Sequence, residues 1–470
     1  MKWGWKNMAD AHRSAHTPAS GAVTTVKPRK ALIAAISGAF LEWYDFNLFG
    51  IAAGLIFPAL FFPSSSPTTA VIQSFGAFAA GFVMRPVGAI VFGHFGDRIG
   101  RRRMLLITVT IMGGCTFLIG LLPTYSSIGV AAPILLIVLR LVQGLGIGGE
   151  FGGGALVALE NAPVGRRGVM GSVHQMGTPL GLLVATGMFS LVQLLPTSDL
   201  NSWGWRIPFL LSGLFLVVAI YIRRALPETA AFQAEGSKAK RLPIMALFRD
   251  HPKNLLLAIG ARMADAVTFN VINVFGIAFA TQQLGLSKQV MLTGFIIAAA
   301  VEVAIIPLIG GLSDRIGRRP VYMFGIVVCG IMAFAYFPAL AIGNTYLAWL
   351  VIVVSLAVGT GCMFSIQGTL FAEMFSTHTR YTGIGVAYQT SALIGGAPTP
   401  AIATALAAAF GMSYLPVSIY TAGICVISLV CIALATETFR GSLVDRPVLG
   451  LAPAIADDLG TAPERKSEPR

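Results

Sequence analysis

Long apolar runs separated by short polar breaks fill most of this 470-residue chain. A helix that crosses a bilayer needs about 20 mostly apolar residues, and twelve runs come near or pass that length. They cover residues 31–60, 71–96, 103–123, 131–159, 167–195, 204–225, 254–282, 289–312, 319–341, 345–374, 381–409 and 413–436. The pattern therefore predicts an all-α polytopic membrane protein with twelve transmembrane helices.

Composition supports this interpretation, because 55% of the residues are hydrophobic and only 11% are charged. Soluble domains carry about twice that charged fraction. The five cysteines lie in apolar runs without metal-ligand or CxxC spacing, so they are interpreted as small apolar residues. Neither a cofactor nor a metal site is expected. The polar N-terminus has no continuous apolar segment that would indicate a cleaved signal peptide.

Positive charge alternates between the connections. Basic clusters follow the second, fourth, sixth, eighth and tenth runs, whereas the other connections are almost uncharged. Because Lys and Arg resist translocation, the basic side is predicted to be cytoplasmic, with both termini on that side of the membrane. The net charge of +13 is then a consequence of topology, and no nucleic-acid partner is expected.

The chain divides into two similar halves. The string DRIGRR occurs at 97–102 after the second run and again at 314–319 after the eighth. The predicted organisation is a tail over 1–30, a six-helix half over 31–225, a cytoplasmic linker over 226–253, a second six-helix half over 254–437 and a tail over 438–470. Duplicated halves around a central site suit alternating-access transport.

Several charged residues lie deep in the apolar runs, where they are costly and usually functional. Glu42 is roughly 18 Å along the first helix, near the bilayer midplane, with Asp45 on the same face. Two such carboxylates resist being ionised together, so they are predicted to bind the coupling proton. The other deep charges are Arg85, Arg140, Glu150, Arg262, Asp265 and Glu302. Arg85, Arg262 and Asp265 are candidates for substrate binding, although structural ion pairing is an equal alternative for the arginines.

Deep polar side chains supplement these charges. They could line a substrate site, although an interhelical hydrogen bond is the plainer interpretation of each one. The candidates are Tyr44, Gln175, Asn270, Asn273, Tyr388 and Gln389, with His174 as a weaker one. The GxGxxG at Gly144, Gly146 and Gly149 lacks the strand that nucleotide binding requires. Gly144, Gly148 and Gly152 instead form a small-residue stripe that lets helices approach closely, and Gly177 and Gly181 offer a matching one.

The loop GHFGDRIGRRR (93–103) resembles the signature loop of the major facilitator superfamily, and RLVQGLGIGG (140–149) resembles its fourth-helix motif. LEWYDF, MRPVGAIVFGHFGDRIGRR, WGWRIPF and LPETAAF together resemble its bacterial metabolite–proton symporters. Phe151 departs mildly from the usual Trp or Tyr.

The resemblance implies the major facilitator fold and a role for Arg140 in proton coupling or helix pairing. Glu150 is a further candidate for proton coupling because of its depth. It also implies a cytoplasmic latch between the halves, to which the DRIGRR residues are assigned: Asp97, Arg98, Arg101, Asp314, Arg315 and Arg318. Possible acidic partners of the latch arginines are Glu160, Glu228 and Glu373.

These observations predict a proton symporter that imports a small, anionic organic acid by alternating access, working as a monomer with no cofactor besides the coupling proton. Uptake of a zwitterionic osmolyte and drug/proton antiport by the same fold are the alternatives, and a transporter-like sensor is a further one. The deep arginines argue against a drug antiporter. No nucleophile–base pair or metal cluster indicates an enzyme.

Overall fold

The computed structural model describes residues 28–63, 66–160, 162–163, 165–224, 243–376 and 379–438. Twelve long helices occupy most of this part of the chain. They are α1 (Pro28–Leu55), α2 (Pro67–Ile99), α3 (Arg101–Leu121), α4 (Ala131–Glu160), α5 (Arg167–Val192), α6 (Thr197–Arg224), α7 (Pro252–Gln282), α8 (Lys288–Ile316), α9 (Arg318–Ala341), α10 (Thr345–Met374), α11 (Arg380–Ala409) and α12 (Leu415–Leu434).

Eleven of these helices, within the described residues, are long and apolar enough to cross a membrane. Helix α1 is the other, and its 28 residues include Glu42, Asp45 and Asn47 near the middle. These polar residues lower its apolar character, which is itself a functional signal because membrane helices rarely carry them. The predicted all-α fold with twelve transmembrane helices in two six-helix halves is confirmed.

The two halves repeat each other in detail. Gly100 and Gly317, with φ of 117° and 106°, connect α2 to α3 and α8 to α9, a conformation that glycine adopts without strain. Arg102 then donates to the Arg224 carbonyl at the end of α6 (2.5 Å). Arg319 does the same for α12, from Nε to the Ile432 carbonyl (3.0 Å). The second basic residue of each DRIGRR pair therefore caps the last helix of its own half.

Glycines set the closest helix contacts. A Cβ on Gly144 would lie 2.2 Å from the Gly81 carbonyl oxygen, and one on Gly148 would lie 2.2 Å from that of Arg85. Side chains larger than hydrogen would push α4 away from α2. Gly177 and Gly181 allow α5 to approach α1 in the same way. The predicted small-residue stripes are confirmed as packing surfaces.

Several helix limits differ from the predicted ones, for local reasons. The first predicted run, 31–60, is interrupted after Leu55, and a short helix Phe57–Phe61 begins with a proline in its first turn. The sixth begins earlier, at Thr197, through a π-helical stretch Leu200–Gly204. Helix α11 is π-helical over Ala392–Gly396 and restarts at Thr399, where the prolines at 398 and 400 remove backbone donors.

Two further π-helical stretches, Val271–Gly276 and Val354–Thr360, interrupt α7 and α10. Together with Ala392–Gly396 they place irregular backbone in three helices of the C-terminal half, where such bulges often mark functional sites. Most of the predicted linker and both predicted tails lie outside the described residues. Within the linker, Pro243–Asp250 is a helix.

Candidate functional site in the central cavity

A cavity lies between the two halves. Helices α1, α2 and α5 of the N-terminal half line it, together with α7, α8, α10 and α11 of the C-terminal half. Its charged lining residues are Glu42, Arg85, Arg262, Asp265 and Glu302. Its aromatic lining residues are Trp43, Phe46, Phe82, Phe269, Phe364 and Tyr388.

Arg85 and Arg262 bring one guanidinium from each half to this cavity, and both side chains are more than nine-tenths buried. The Arg85 guanidinium carbon lies 4.3 Å from the centre of the Phe82 ring, and its Nε has no hydrogen-bond partner. Arg262 lies over the Tyr388 ring at 3.6 Å and donates from Nη1 to Ser391 Oγ (3.1 Å). Neither arginine forms an ion pair within the described residues, so the alternative of structural pairing is not supported.

Three carboxylates share the cavity with these arginines. Glu42 belongs to the N-terminal half, whereas Asp265 and Glu302 belong to the C-terminal half. Gln367 Nε2 donates to Asp265 Oδ2 at 3.4 Å. In the described part of the chain, none of the three carboxylates lies within ion-pair distance of a basic group. The cavity lining therefore carries acidic and basic groups that do not form ion pairs with each other.

Asp45 lies outside the cavity and faces the interior of the N-terminal half. Gln143 Nε2 donates to Asp45 Oδ2 (3.4 Å) and to Thr116 Oγ1 (2.6 Å), and Arg140 donates to Gln143 Oε1. The sequence placed Glu42 and Asp45 on one helix face, but of the two only Glu42 lines the cavity, and their joint role in proton coupling stays a prediction. A spacing of three residues rotates the second side chain by about 60° around the helix, which is enough to turn Asp45 from the cavity towards α4.

Arg140 connects this network to apolar packing, since its guanidinium carbon lies 4.0 Å from the centre of the Phe49 ring. The fourth-helix motif thus places Arg140 and Gln143 beside Asp45, away from the cavity. An oxygen of Asp45, Oδ1, has no hydrogen-bond partner. A buried carboxylate oxygen left without a donor favours a bound proton.

Glu150 is placed differently from the expectation that it takes part in proton coupling. It forms a buried ion pair with Arg223 of α6, which also donates to the Leu105 carbonyl (2.8 Å). A Cβ on Gly38 would lie 1.7 Å from Arg223 Nη2, so the glycine makes room for the pair. All of these residues belong to one half, which favours a structural role for the Glu150–Arg223 pair.

Some predicted substrate-binding residues do not line the cavity. The Tyr44 hydroxyl donates to the Pro208 carbonyl (2.6 Å) inside the N-terminal half, and the Asn273 amide donates to the Phe269 carbonyl (3.0 Å) in its own helix. Gln389 is buried outside the cavity lining, and neither its Oε1 nor its Nε2 has a hydrogen-bond partner.

Gln175 crosses between the halves, donating from Nε2 to the Phe364 carbonyl at 3.0 Å. It contributes to the site indirectly, by holding the backbone of a cavity residue. Asn270 and Tyr388 line the cavity as expected. His174 donates from Nδ1 to the Ala35 carbonyl (3.0 Å) and packs within the N-terminal half.

The end of the bundle that carries both DRIGRR strings is called the signature end here. The carboxylate of Asp314 crosses between the halves and accepts hydrogen bonds from the backbone N–H groups of Gly168 (2.7 Å) and Val169 (3.1 Å), at the start of α5. Arg318 forms ion pairs with Asp314 (2.8 Å) and with Glu373 (3.5 Å). The structure thus gives Asp314 the contacts between halves expected of a latch, whereas the ion pairs of Arg318 with Asp314 and Glu373 lie within the C-terminal half.

Two other latch candidates, Arg98 and Arg315, are exposed at the signature end. The Nη1 of Arg98 lies 3.4 Å from His94 Nε2. The side chains of Asp97, Arg101 and Glu160 lie outside the described residues, as does the whole of Glu228, so their latch roles stay predictions. Glu437 was not foreseen: it accepts hydrogen bonds from the N–H groups of Arg318 and Arg319 at the start of α9.

Between the signature end and the cavity, aromatic contacts join the halves. Phe151 of α4 stacks on Tyr388 of α11 with ring centres 3.6 Å apart. Two turns earlier in α11, the Tyr381 hydroxyl donates to the Gly149 carbonyl (2.6 Å). A Cβ on Gly93 would lie 2.8 Å from the Thr382 Cα. The halves are therefore closed against each other on this side of the cavity.

Except for Tyr388, the aromatic lining residues were missed in the sequence. Their residue type alone does not distinguish Trp43 and the four phenylalanines from lipid-facing residues, although Trp43 and Phe46 lie beside Glu42 and Asp45. Glu302 was noted as a deep charge but given no role, although a lone carboxylate in an apolar run was a sufficient signal.

Comparisons with known proteins agree with this architecture. The family model of the Major Facilitator Superfamily matches residues 35–397 and again 257–450. The chain belongs to the major facilitator superfamily. It is 37% identical over 430 residues to the shikimate transporter of Escherichia coli, covering 90% of this chain and 98% of the relative.

It is also 36% identical to the E. coli inner membrane metabolite transport protein YhjE, over 88% of this chain and 95% of the relative. Its identity to the E. coli proline/betaine transporter is 32%, over 92% and 87% of the two chains. The protein is therefore a multi-pass membrane transporter of the superfamily's metabolite group, and not an enzyme.

Among solved structures, the proton:xylose symporter XylE bound to a bromodeoxyglucose matches with a TM-score of 0.72, covering 87% of this chain and 96% of that one. The identity is 15%, so this similarity supports the fold alone.

Proposed function

We propose that this transporter is a proton-coupled symporter that imports a small organic acid across the bacterial inner membrane by alternating access, with its signature end in the cytoplasm. The observation that carries the proposal is the pair of buried guanidinium groups, Arg85 and Arg262, that face one cavity without a carboxylate partner.

An arginine buried without an anion is unfavourable, because its charge has lost water and gained no partner. A substrate carboxylate can supply that partner through two parallel hydrogen bonds. Since Arg85 belongs to one half and Arg262 to the other, one anion can engage both halves at once. Such a substrate favours the state in which the cavity is closed around it. The aromatic lining then offers contact area for the carbon skeleton.

Proton coupling is assigned to Glu42 and Asp45, which hold one transported proton in turn at two separate places. Glu42 lies in the cavity, where protonation removes a negative charge that would repel the arriving anion. Asp45 lies behind it against Gln143, which Arg140 contacts in turn. A change of charge on Asp45 can therefore reach α4 without touching the substrate.

A zwitterionic substrate is the second candidate. It is favoured by the three carboxylates that share the cavity with the arginines, since a cationic group could be placed beside them. One relative is named as a proline/betaine transporter. The two classes differ in net charge, so they can be separated by experiment.

The test is a thermal-shift screen of the purified protein against shikimate, succinate, glycine betaine and tetraphenylphosphonium, since a ligand that binds the folded state raises its apparent stability. Stabilisation by an organic acid supports the proposal. It should be lost in R85Q and R262Q and kept in R103Q, a matched control on the exposed surface.

Uptake of the stabilising compound into proteoliposomes should then rise when the outside is acidified. Stabilisation by betaine alone would support the second candidate. Stabilisation by tetraphenylphosphonium alone would contradict both and favour an efflux antiporter.

A further inference from the structure

We propose that Glu302 of α8 is a second proton-binding group of the transport cycle, so that two protons accompany each monocarboxylate and its uptake carries net positive charge inwards. This inference rests on the proposed function, namely that the cavity takes an anionic substrate together with protons.

The first step is the charge count of the cavity. Three carboxylates and two guanidinium groups line it, and no ion pair within the described residues removes any of them from the count. With all five ionised the empty cavity carries one net negative charge. A monoanionic substrate would raise this to two in a closed, low-dielectric space, which is strongly unfavourable.

The second step is the charge balance of the loaded state. Two guanidinium groups neutralise one substrate anion and one protein carboxylate. The two remaining carboxylates must then be protonated for the occluded cavity to be neutral. Glu42 accounts for one proton, and the other belongs to the C-terminal half, where Asp265 and Glu302 both face the cavity.

The surroundings of these two residues decide between them. Asp265 accepts a hydrogen bond from Gln367, and Arg262 lies one turn before it in the same helix, so its ionised form is supported. Glu302 has no hydrogen-bond donor or ion-pair partner in the described part of the chain. Its Oε1 lies against Gly361, where an added Cβ would be 3.8 Å away.

The charged and titratable groups that line the cavity together with Glu302 come from four other helices. They are Asp265 and Arg262 on α7, Glu42 on α1, Arg85 on α2 and Tyr388 on α11. Arg262 is occupied by Ser391 and the Tyr388 ring. The residues that α10 and α5 contribute beside it, Thr360 and Thr178, are uncharged. Asp265 is a like charge, and two carboxylates sharing one site do not both ionise.

The proton balance is simple. A proton from the external medium adds to a carboxylate oxygen of Glu302 and forms an O–H bond, which breaks when the cavity opens to the other side and water accepts the proton. No bond of the substrate changes. Two protons and one monoanion move one positive charge per cycle.

The experiment uses the full-length protein in proteoliposomes, with no pH gradient and with valinomycin setting the potential through a tenfold K⁺ gradient, high inside. The probe is the monocarboxylate that stabilises the protein in the screen described above. For one net positive charge per cycle, the interior-negative potential should raise steady-state accumulation about tenfold.

E302Q should still bind the acid and accumulate it in response to a pH gradient, but the K⁺ gradient should no longer change its accumulation. D199N is the matched carboxylate-to-amide control. Asp199 lies in the first turn of α6 and does not line the cavity, so this variant should respond like the wild type.

Two results would overturn the inference: wild-type accumulation that ignores the K⁺ gradient, or E302Q accumulation that follows it as the wild type does. The first result needs no variant, so the inference remains testable if E302Q does not fold. Failure of every organic acid to bind the wild type would instead contradict the proposed function itself, which keeps the two outcomes distinguishable.

Discussion

Replacing Asp314 by Asn should open the signature end. The Asp314 carboxylate accepts hydrogen bonds from two backbone N–H groups at the start of α5, and these contacts join the two halves. Its ion pair with Arg318 lies within the C-terminal half and is present whichever way the carrier faces. Only the contacts with α5 therefore affect the conformational equilibrium.

The effect of D314N on the free-energy difference between the two conformations can be worked out from those two hydrogen bonds. The side-chain oxygen of an asparagine can still accept a hydrogen bond from one of the two backbone N–H groups. Its NH₂ group would face the other N–H, and two donors cannot form a hydrogen bond. The remaining bond also loses the charge assistance, which is worth roughly 1 kcal/mol, and the interaction with the helix N-terminus weakens. A total of about 2 kcal/mol corresponds to a roughly thirtyfold shift of the equilibrium.

Distance measurements between spin-label pairs would detect this shift. In a cysteine-free background, labels at Ser190 and Gln289 report on the opposite end, and labels at Arg103 and Phe324 report on the signature end; all four positions are exposed. D314N should lengthen the distance between the labels at Arg103 and Phe324 and shorten the distance between those at Ser190 and Gln289. The control variant D199N should change neither distance. Unchanged distributions, or a shift in the other direction, would refute the latch assignment. D97N should act likewise by the repeat.

Three further predictions concern the interior. Arg85→Lys should weaken binding of an organic acid about tenfold by calorimetry, because lysine keeps the charge but lacks the two-pronged donor geometry; unchanged affinity would return Arg85 to a structural role. Asp45→Asn should abolish accumulation driven by a pH gradient while counterflow exchange continues, and accumulation at the wild-type level would move proton coupling elsewhere. Gly38→Ala should destabilise the protein by about 3 kcal/mol in chemical denaturation, because the added methyl group would displace the Glu150–Arg223 pair. Gly76→Ala, where nothing lies within 4 Å of the new atom, should not.

The sequence predicted best those features that the membrane constrains, namely the helices and their arrangement in two halves. Apolar run length predicted the twelve helices, and the repeated DRIGRR string predicted two halves whose capping contacts indeed correspond. Deep charges were a partial signal for the cavity. Glu42, Arg85, Arg262, Asp265 and Glu302 line it, whereas Asp45, Arg140 and Glu150 face the interior of the N-terminal half.

The sequence did not predict correctly which neighbouring side chains point into the cavity. Glu42 and Asp45 are three residues apart, yet only Glu42 lines the cavity. Likewise Tyr44, beside a cavity residue, donates to Pro208 inside its own half. Rotations of about 100° per residue turn such neighbours away from each other, and the facing helix that receives each one is not visible in one stretch of sequence.

The buried charges of this protein fall into two groups with different physical roles. Glu150 and Arg223 pair within one half, so their contact survives every movement of the halves and can be as strong as geometry allows. The cavity charges lie on surfaces that must separate and become hydrated in each cycle. Pairing Arg85 directly with Asp265 across that gap would stabilise the closed, empty state by several kcal/mol, and an empty carrier would then close without substrate. Under the proposed function, leaving these charges without partners makes closure depend on the substrate anion and the protons that complete the charge balance.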